Sequence, residues 1–263
     1  MAHDPQWFTD GTGYDRLMAG WTRTAGATFL DWLSPPSAAR WLDVGCGTGV
    51  FTELVVETCS PATVIAIDPA AAQIEFARKK SVAQRVDFRI ADAQTLPFSD
   101  GTFDVVVSAL VINFIPERLR ALAEMRRVCA PGGVIAGYVW DFAAQRSPNA
   151  PLRFGLQEIG VSPPPVPGTE DSRPEALTAL FTSAKLTDIA MRIIDVTISF
   201  TNFDDFWQSQ TPSYNPVAKM LAALSEADRE RVLAIVRESF PADSDGSVAH
   251  SARAHAIKAR VPK

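Results

Sequence analysis

The sequence is poor in the residues on which disulfide-stapled and metal-held folds depend. Its 263 residues include only three cysteines, Cys46, Cys59 and Cys129. They are too few and too irregularly spaced for a disulfide framework or a zinc site, so no metal is expected, and a reducing cytoplasm is the expected compartment. A basic excess is also missing, because 25 Lys+Arg stand against 30 Asp+Glu and the net charge is −5. Phosphate neutralisation supplies most non-specific nucleic-acid affinity, which argues against a nucleic-acid partner. The local cluster Arg78-Lys79-Lys80 falls where a helix should end, and reads as a solvated terminus that complements the helix dipole. The longest apolar run, Val105 to Ile115, is broken by Ser108 and Asn113 and falls far short of the ~20 residues of a membrane span. The first residues carry Asp4 and Asp10 with no secretory pattern, so no leader is expected.

What is present is ordinary globular material, 47% hydrophobic and 21% charged, enough for one core fold with an elaboration. Apolar residues at helical spacing from 13 to 33 predict an N-terminal helix, which Ser34-Pro35-Pro36 ends. Strands are expected over 39–44, 63–68, 86–90, 103–111 and 133–140. Helices are expected over 50–59, over 70–80 after Pro69, and over 117–128. This alternation implies a parallel sheet covered on both faces. The proline-rich stretch 147–167 reads as an irregular loop or short helix, 174–184 as a helix and 186–200 as a sixth strand. Residues 201–240 form an insertion in which Phe203, Phe206, Trp207 and Tyr214 lead into two amphipathic helices. A seventh strand, 248–261, carries His250 and His255 on opposite parities of what reads as an edge strand, with surface or structural roles. His3 falls in the terminus.

Asp43-Val44-Gly45-Cys46-Gly47-Thr48-Gly49 follows a strand and precedes a helix, where glycines let a ligand approach bare backbone and helix-terminal N–H groups. The spacing G-x-G-x-G departs from the dinucleotide fingerprint G-x-G-x-x-G. An acid beside the turn, Asp43, would repel a pyrophosphate and suits a cationic ligand end. Asp68, at the end of the second strand, is placed to accept hydrogen bonds from ribose hydroxyls, and Asp92 adds a third acid after the third strand. Together the three acids describe a cationic, ribose-bearing, phosphate-free cofactor.

Here the chain resembles the class I methyltransferases that use S-adenosyl-L-methionine (SAM), most of all the ubiquinone-biosynthesis-like small-molecule subgroup. The likeness rests on Leu42 to Gly49, Ala66-Ile67-Asp68-Pro69, Ala91 to Phe98, Phe103 to Val107 and Arg127 to Gly133. It implies an α/β fold, a seven-stranded, mostly parallel, doubly wound sheet with a C-terminal antiparallel strand and the helical insertion, all as one domain over 1–263. It also implies that Gly45, Gly47 and Gly49 line the methionyl part of SAM, that Asp68 with Pro69 holds the ribose, and that Asp92 and Ala93 bind the adenine edge. By the same likeness Asp43 orders the turn or meets the amino group through water. The backbone near Ala109 and Leu110 faces the sulfonium, and Tyr14 and Trp21 either reach over the cofactor or, as aromatics at helical spacing more often do, pack in the core. Asn113 stands where relatives often have histidine, and Ala19-Gly20-Trp21 stands where they often carry Gly-Arg-Trp.

Methyl transfer is an in-line displacement dominated by orientation and water exclusion, so a dedicated base is optional, and the catalytic residue is not assigned. The expected activity is transfer of a methyl group to a small-molecule acceptor, with S-adenosyl-L-homocysteine (SAH) as product. A SAM-binding regulatory protein without turnover remains open, as does, more weakly, a nicotinamide enzyme. The insertion is expected either to cap the acceptor pocket or to fill a satellite core.

Overall fold

The computed structural model describes residues 11–212 and 215–263, with side chains from Met18 onward. Its centre is a seven-stranded sheet in the order β3-β2-β1-β4-β5-β7-β6. The strands are β1 (Arg40–Val44), β2 (Thr63–Asp68), β3 (Asp87–Ile90), β4 (Phe103–Ala109), β5 (Cys129–Trp140), β6 (Thr187–Phe200) and β7 (Val248–Arg260). The first five pair in parallel, and β7 runs antiparallel to both of its neighbours, β5 and β6. Near-continuous apolar strands demand cover on both faces, since no alternating polar face is available for water. Trp41, Leu42, Val105, Val106 and Val107 are accordingly sealed from solvent.

One face is covered by α1 (Gly11–Leu33), α2 (Val50–Thr58) and α3 (Ala71–Ala77). On α1, Trp21, Ala25 and Phe29 recur every four residues and turn inward, Phe29 lying 4.9 Å from Tyr138 of β5. The opposite face is covered by α4 (Arg118–Val128) and α6 (Pro174–Ser183), with Leu122, Met125, Leu177 and Phe181 buried. A third apolar cluster lies apart from both. There α5 (Ala150–Glu158), α7 (Phe203–Gln210), α8 (Pro216–Ala222) and α9 (Glu226–Ser239) bring together Leu152, Leu156, Phe203, Phe206, Val217, Leu221, Val232 and Val236.

Several expectations need correction. Strand β7 is not an edge. It is held between β5 and β6, so His250 and His255 are each only 5% exposed. Of the two readings of 147–167, irregular loop or short helix, the helix holds for α5, whose Gly155 lets it approach Val232 and Val236 of α9. The insertion holds three helices rather than two. Asn202 caps α7 by accepting from the Asp205 N–H at 2.9 Å, a signal present in the sequence. Helix α3 stops at Ala77, three residues early, and Pro69 stands outside it. The Arg78 guanidinium is not simply solvated: it donates to the Phe88 carbonyl at 2.6 Å and ties α3 to β3. Strand β5 begins earlier than expected, at Cys129, through an irregular register opposite Phe103 and Val105. His3 and Tyr214 lie outside the described residues, as does the side chain of Tyr14.

Candidate functional site

The carboxyl ends of β1, β2, β4 and β5 open on one edge of the sheet, and the glycine turn is built there. Gly45, Gly47 and Gly49 have φ values of 81°, 53° and 80°, conformations that β-carbon-bearing residues resist. The first two needs differ. A β-carbon on Gly45 would overlap the methyls of Val111, whereas one on Gly47 would meet nothing within 4 Å, so the backbone at Gly47 faces open space. The turn is held from below, because Gly45 and Cys46 donate their N–H groups to the Ile67 carbonyl at 2.7 and 2.9 Å. It is held from the side as well, since Gly47 N–H donates to Asp68 Oδ2 at 3.0 Å. Asp68 Oδ1 accepts from Ala70 N–H at 2.8 Å, so this carboxylate fixes both the glycine turn and the exit from β2.

A concavity of about 420 Å³, open to solvent, lies against this turn. Its walls are Met18 and Thr22 of α1, Asp43 and the turn Gly45 to Thr48, Val50 and Phe51 of α2, and Ala109, Leu110 and Val111 after β4. Leu110 sits at φ 62° and donates its N–H to the Tyr138 carbonyl, so the chain leaves β4 sharply. Asp43 is the buried charge of the site, at 2% exposure. Its Oδ2 accepts from the Thr52 hydroxyl at 2.6 Å and its Oδ1 has no partner. Burial pushes its carboxyl up to about 7, the Thr52 hydroxyl opposes the rise, and the neighbouring charge of Asp68 adds to it. Burial together with Asp43 and Asp68 holds the Cys46 thiol well above its ordinary range, so it stays protonated and unreactive.

The structure therefore brings Asp43, Gly45, Gly47, Ala109 and Leu110 to one cavity, with Gly49 as the cap residue of α2. Asp68 and Pro69 adjoin it through the Gly47 hydrogen bond. Asp92 and Ala93 lie one strand further out, where the Asp92 carboxylate accepts from Gln94 N–H at 2.8 Å. Trp21 packs edge-on against Trp140 and His250, at 6.1 and 5.3 Å between ring centroids, and the cavity residues of α1 are its neighbours Met18 and Thr22. Thr52 and Val111 went unnoticed in the sequence. The first could have been found, since it lies on the first turn of the helix that follows the glycines and faces back toward β1.

Beyond β5, two buried histidines hold the chain that passes over this edge. His250 donates Nε2–H to the Pro148 carbonyl at 3.2 Å, and burial lowers its pKa to about 4, so its ring is neutral near pH 7. His255 donates Nδ1–H to the Ser172 carbonyl at 2.8 Å and turns Nε2 to within 3.6 Å of Asp141. Among the described residues there is no grouping of three potential metal ligands, and no helix is long and apolar enough to cross a membrane.

Comparison with known proteins points the same way as the geometry. Residues 42–137 match the family model described as a methyltransferase domain. The chain is 30% identical over 154 residues to a ubiquinone/menaquinone biosynthesis C-methyltransferase of Dinoroseobacter shibae, covering 57% of this chain and 61% of the relative. It is 35% identical over 123 residues to a malonyl-[acyl-carrier protein] O-methyltransferase of Pectobacterium atrosepticum, covering 47% of each. The matched stretches thus span about half to six tenths of these relatives. In fold, the chain resembles phosphoethanolamine N-methyltransferase 2 of Haemonchus contortus, with a TM-score of 0.58 at 15% identity, covering 96% of this chain and 57% of that one, in a structure that holds S-adenosyl-L-methionine.

Proposed function

We propose that this chain, whose residues 42–137 match a methyltransferase-domain family model, is an enzyme that binds SAM against the Gly45–Gly49 turn and transfers its methyl group to a small-molecule acceptor. The carrying observation is the pairing of open backbone at Gly47 with the unpartnered Asp43 Oδ1 in one concavity. A ligand with a cationic end and no phosphate fits that pair. Bare backbone admits it closely, and the lone carboxylate oxygen gains the partner it lacks. Asp68 would hold the ribose, Asp92 and Ala93 would meet the adenine, and Ala109 and Leu110 would face the reacting centre.

Bound there, SAM supplies an electrophilic methyl group on a sulfonium. The protein's own contribution is orientation and exclusion of water. The Leu110 turn, tied to β5, fixes the wall beside the reacting centre, while Met18, Val50 and Phe51 keep that side apolar. Among the described residues, Asp43 and Cys46 are the titratable side chains along the wall; Cys46 is held protonated, and Asp43 is engaged by the Thr52 hydroxyl. The named relatives include one C- and one O-methyltransferase, so acceptor choice is placed outside the glycine turn they have in common with this reading, in the chain that follows β5. The insertion 201–240 serves there as a cap.

The test is incubation with SAM and a panel of hydroxylated, carboxylated and amine-bearing metabolites, reading SAH by mass spectrometry. SAH formed with at least one acceptor supports the assignment. SAM binding without SAH across a broad panel favours a silent cofactor-binding protein, and a melting shift with NAD but not with SAM rejects both.

A further inference from the structure

Asn113 stands where the cofactor edge meets the strap Val166–Ser172. It is fully buried, two residues beyond Val111, whose methyls fill the space that a side chain on Gly45 would take. Its Nδ2 donates to the Pro167 carbonyl at 3.1 Å. That carbonyl can only accept, so the amide has one possible orientation, and Oδ1 is left buried without a donor. The Asn113 backbone carbonyl accepts from Arg118 Nη2 at 2.7 Å, and the same guanidinium meets Asp171 at 3.0 Å. Gly168, at φ 66°, closes against this cluster: a β-carbon there would overlap the Asn113 carbonyl oxygen. At the far end of the strap, the Ser172 carbonyl is held by His255 and its hydroxyl accepts from Ala143 N–H at 3.2 Å.

We propose that Asn113 is a positioning residue that transmits occupancy of the glycine-turn concavity to the strap, so that Val166–Ser172 closes as a wall on the acceptor side when the cofactor is in place. This rests on the methyltransferase reading above. Only Ile112 separates the cavity wall at Val111 from Asn113, which holds Pro167 from within the single 3₁₀ turn Ile112–Phe114. A ligand that steadies Gly45 and Val111 therefore steadies Asn113 as well. The near end of the strap is held by polar contacts rather than apolar burial, the kind of segment that opens locally. The uncompensated Oδ1 disfavours the closed arrangement further, so a small differential interaction is enough to shift its population.

Hydrogen exchange of the full chain with and without SAH reads this directly, since SAH occupies the cofactor site without needing an acceptor. In the wild type, SAH should slow exchange of the strap amides by about tenfold. Asn113→Leu keeps the volume but removes the donor, and should abolish that slowing while the SAH Kd changes less than about threefold. Gly168→Ala attacks the same contact from the strap side and should behave alike. Core amides of β1 and β4 report whether each variant is folded. Slowing that survives in both variants, or SAH binding to the wild type that leaves the strap amides unchanged, overturns the proposal. Failure of the wild type to bind SAH at all, seen by calorimetry, instead rejects the function on which it rests.

Discussion

The glycine-turn edge and the chain beyond β5 meet over the same sheet but are built in different ways. The first is made of backbone: positive-φ glycines, N–H groups shared with Ile67 and Asp68, and one buried carboxylate. Each part sits within a few residues of a strand end. The second is made of side chains that meet across long separations, as in the bond between His250 and Pro148, 102 residues apart, and that between His255 and Ser172, 83 apart. A backbone-built site tolerates little change and marks itself as a motif, whereas a packed cover can be rebuilt with other residues of similar volume. The family model falls on the first of these regions, since it covers residues 42–137 and ends within β5.

The difference can be broken most forcefully from the cover. Phe206 is fully buried and contacts Phe200, Phe203, Phe240 and His250. Phe206→Ala should cost about 3–5 kcal/mol of stability in denaturant unfolding. SAM affinity, measured below the unfolding transition, should stay within about twofold. A matching collapse of SAM binding in the folded variant would show that the two regions are one cooperative site. The reciprocal change is Asp68→Ala, which removes the acceptor for the ribose and for Gly47 N–H. It should weaken SAM roughly 5- to 150-fold by calorimetry, the loss expected for a buried hydrogen-bonded acceptor. Unchanged affinity would remove Asp68 from the site.

The same contrast explains what could be read from sequence. The strand-helix alternation and the turn with Asp43 and Asp68 follow from local pattern, and the antiparallel last strand was implied by the resemblance; the structure shows all three. Strand order is not local. Nothing between Leu186 and Val261 says that β7 inserts between β5 and β6, so His250 and His255 were placed on an edge when they are interior. Helix α5 could be read only as one of two alternatives because Pro151 at its first turn and Pro163 to Pro165 beyond it look like loop residues, although proline is tolerated at a helix start. The contact of Asn113 with Pro167 joins residues 54 apart and leaves no periodic trace.

A pH series sharpens the comparison at Asp43, which the cover does not touch. Its carboxyl titrates at about 7 in the folded chain, mainly through burial, against ~3.9 in an unfolded chain. A raised folded value means that Asp43 favours the folded state most below its unfolded pKa, and that this contribution is lost as pH rises toward 7. Cofactor binding has the opposite sign, because a cationic end prefers the carboxylate. Going from pH 8 to pH 6 should therefore weaken SAM by up to about tenfold. Asp43→Asn should flatten that dependence, and an equally steep profile in this variant would assign the effect to another group.

The smallest expected change in stability is the most informative about the cover. Trp207 is half-buried on α7, stacked on Phe203 at 6.3 Å between centroids and an interplanar angle of 14°, with the Arg237 guanidinium also over Phe203 at 4.2 Å. It belongs to the rim of the third cluster rather than its centre, so Trp207→Ala gives up a stacking contact of about 1 kcal/mol plus partial burial. Two roles separate cleanly. If α7 only closes a satellite core, the variant loses a little stability and keeps both SAM affinity and turnover with whichever acceptor the panel identifies. If α7 caps the acceptor, turnover or acceptor affinity falls while SAM affinity and most of the stability remain. Melting temperature, SAM calorimetry and SAH production on the same preparation distinguish these outcomes, and a stability loss as large as that of Phe206→Ala with intact turnover would return the whole insertion to the core.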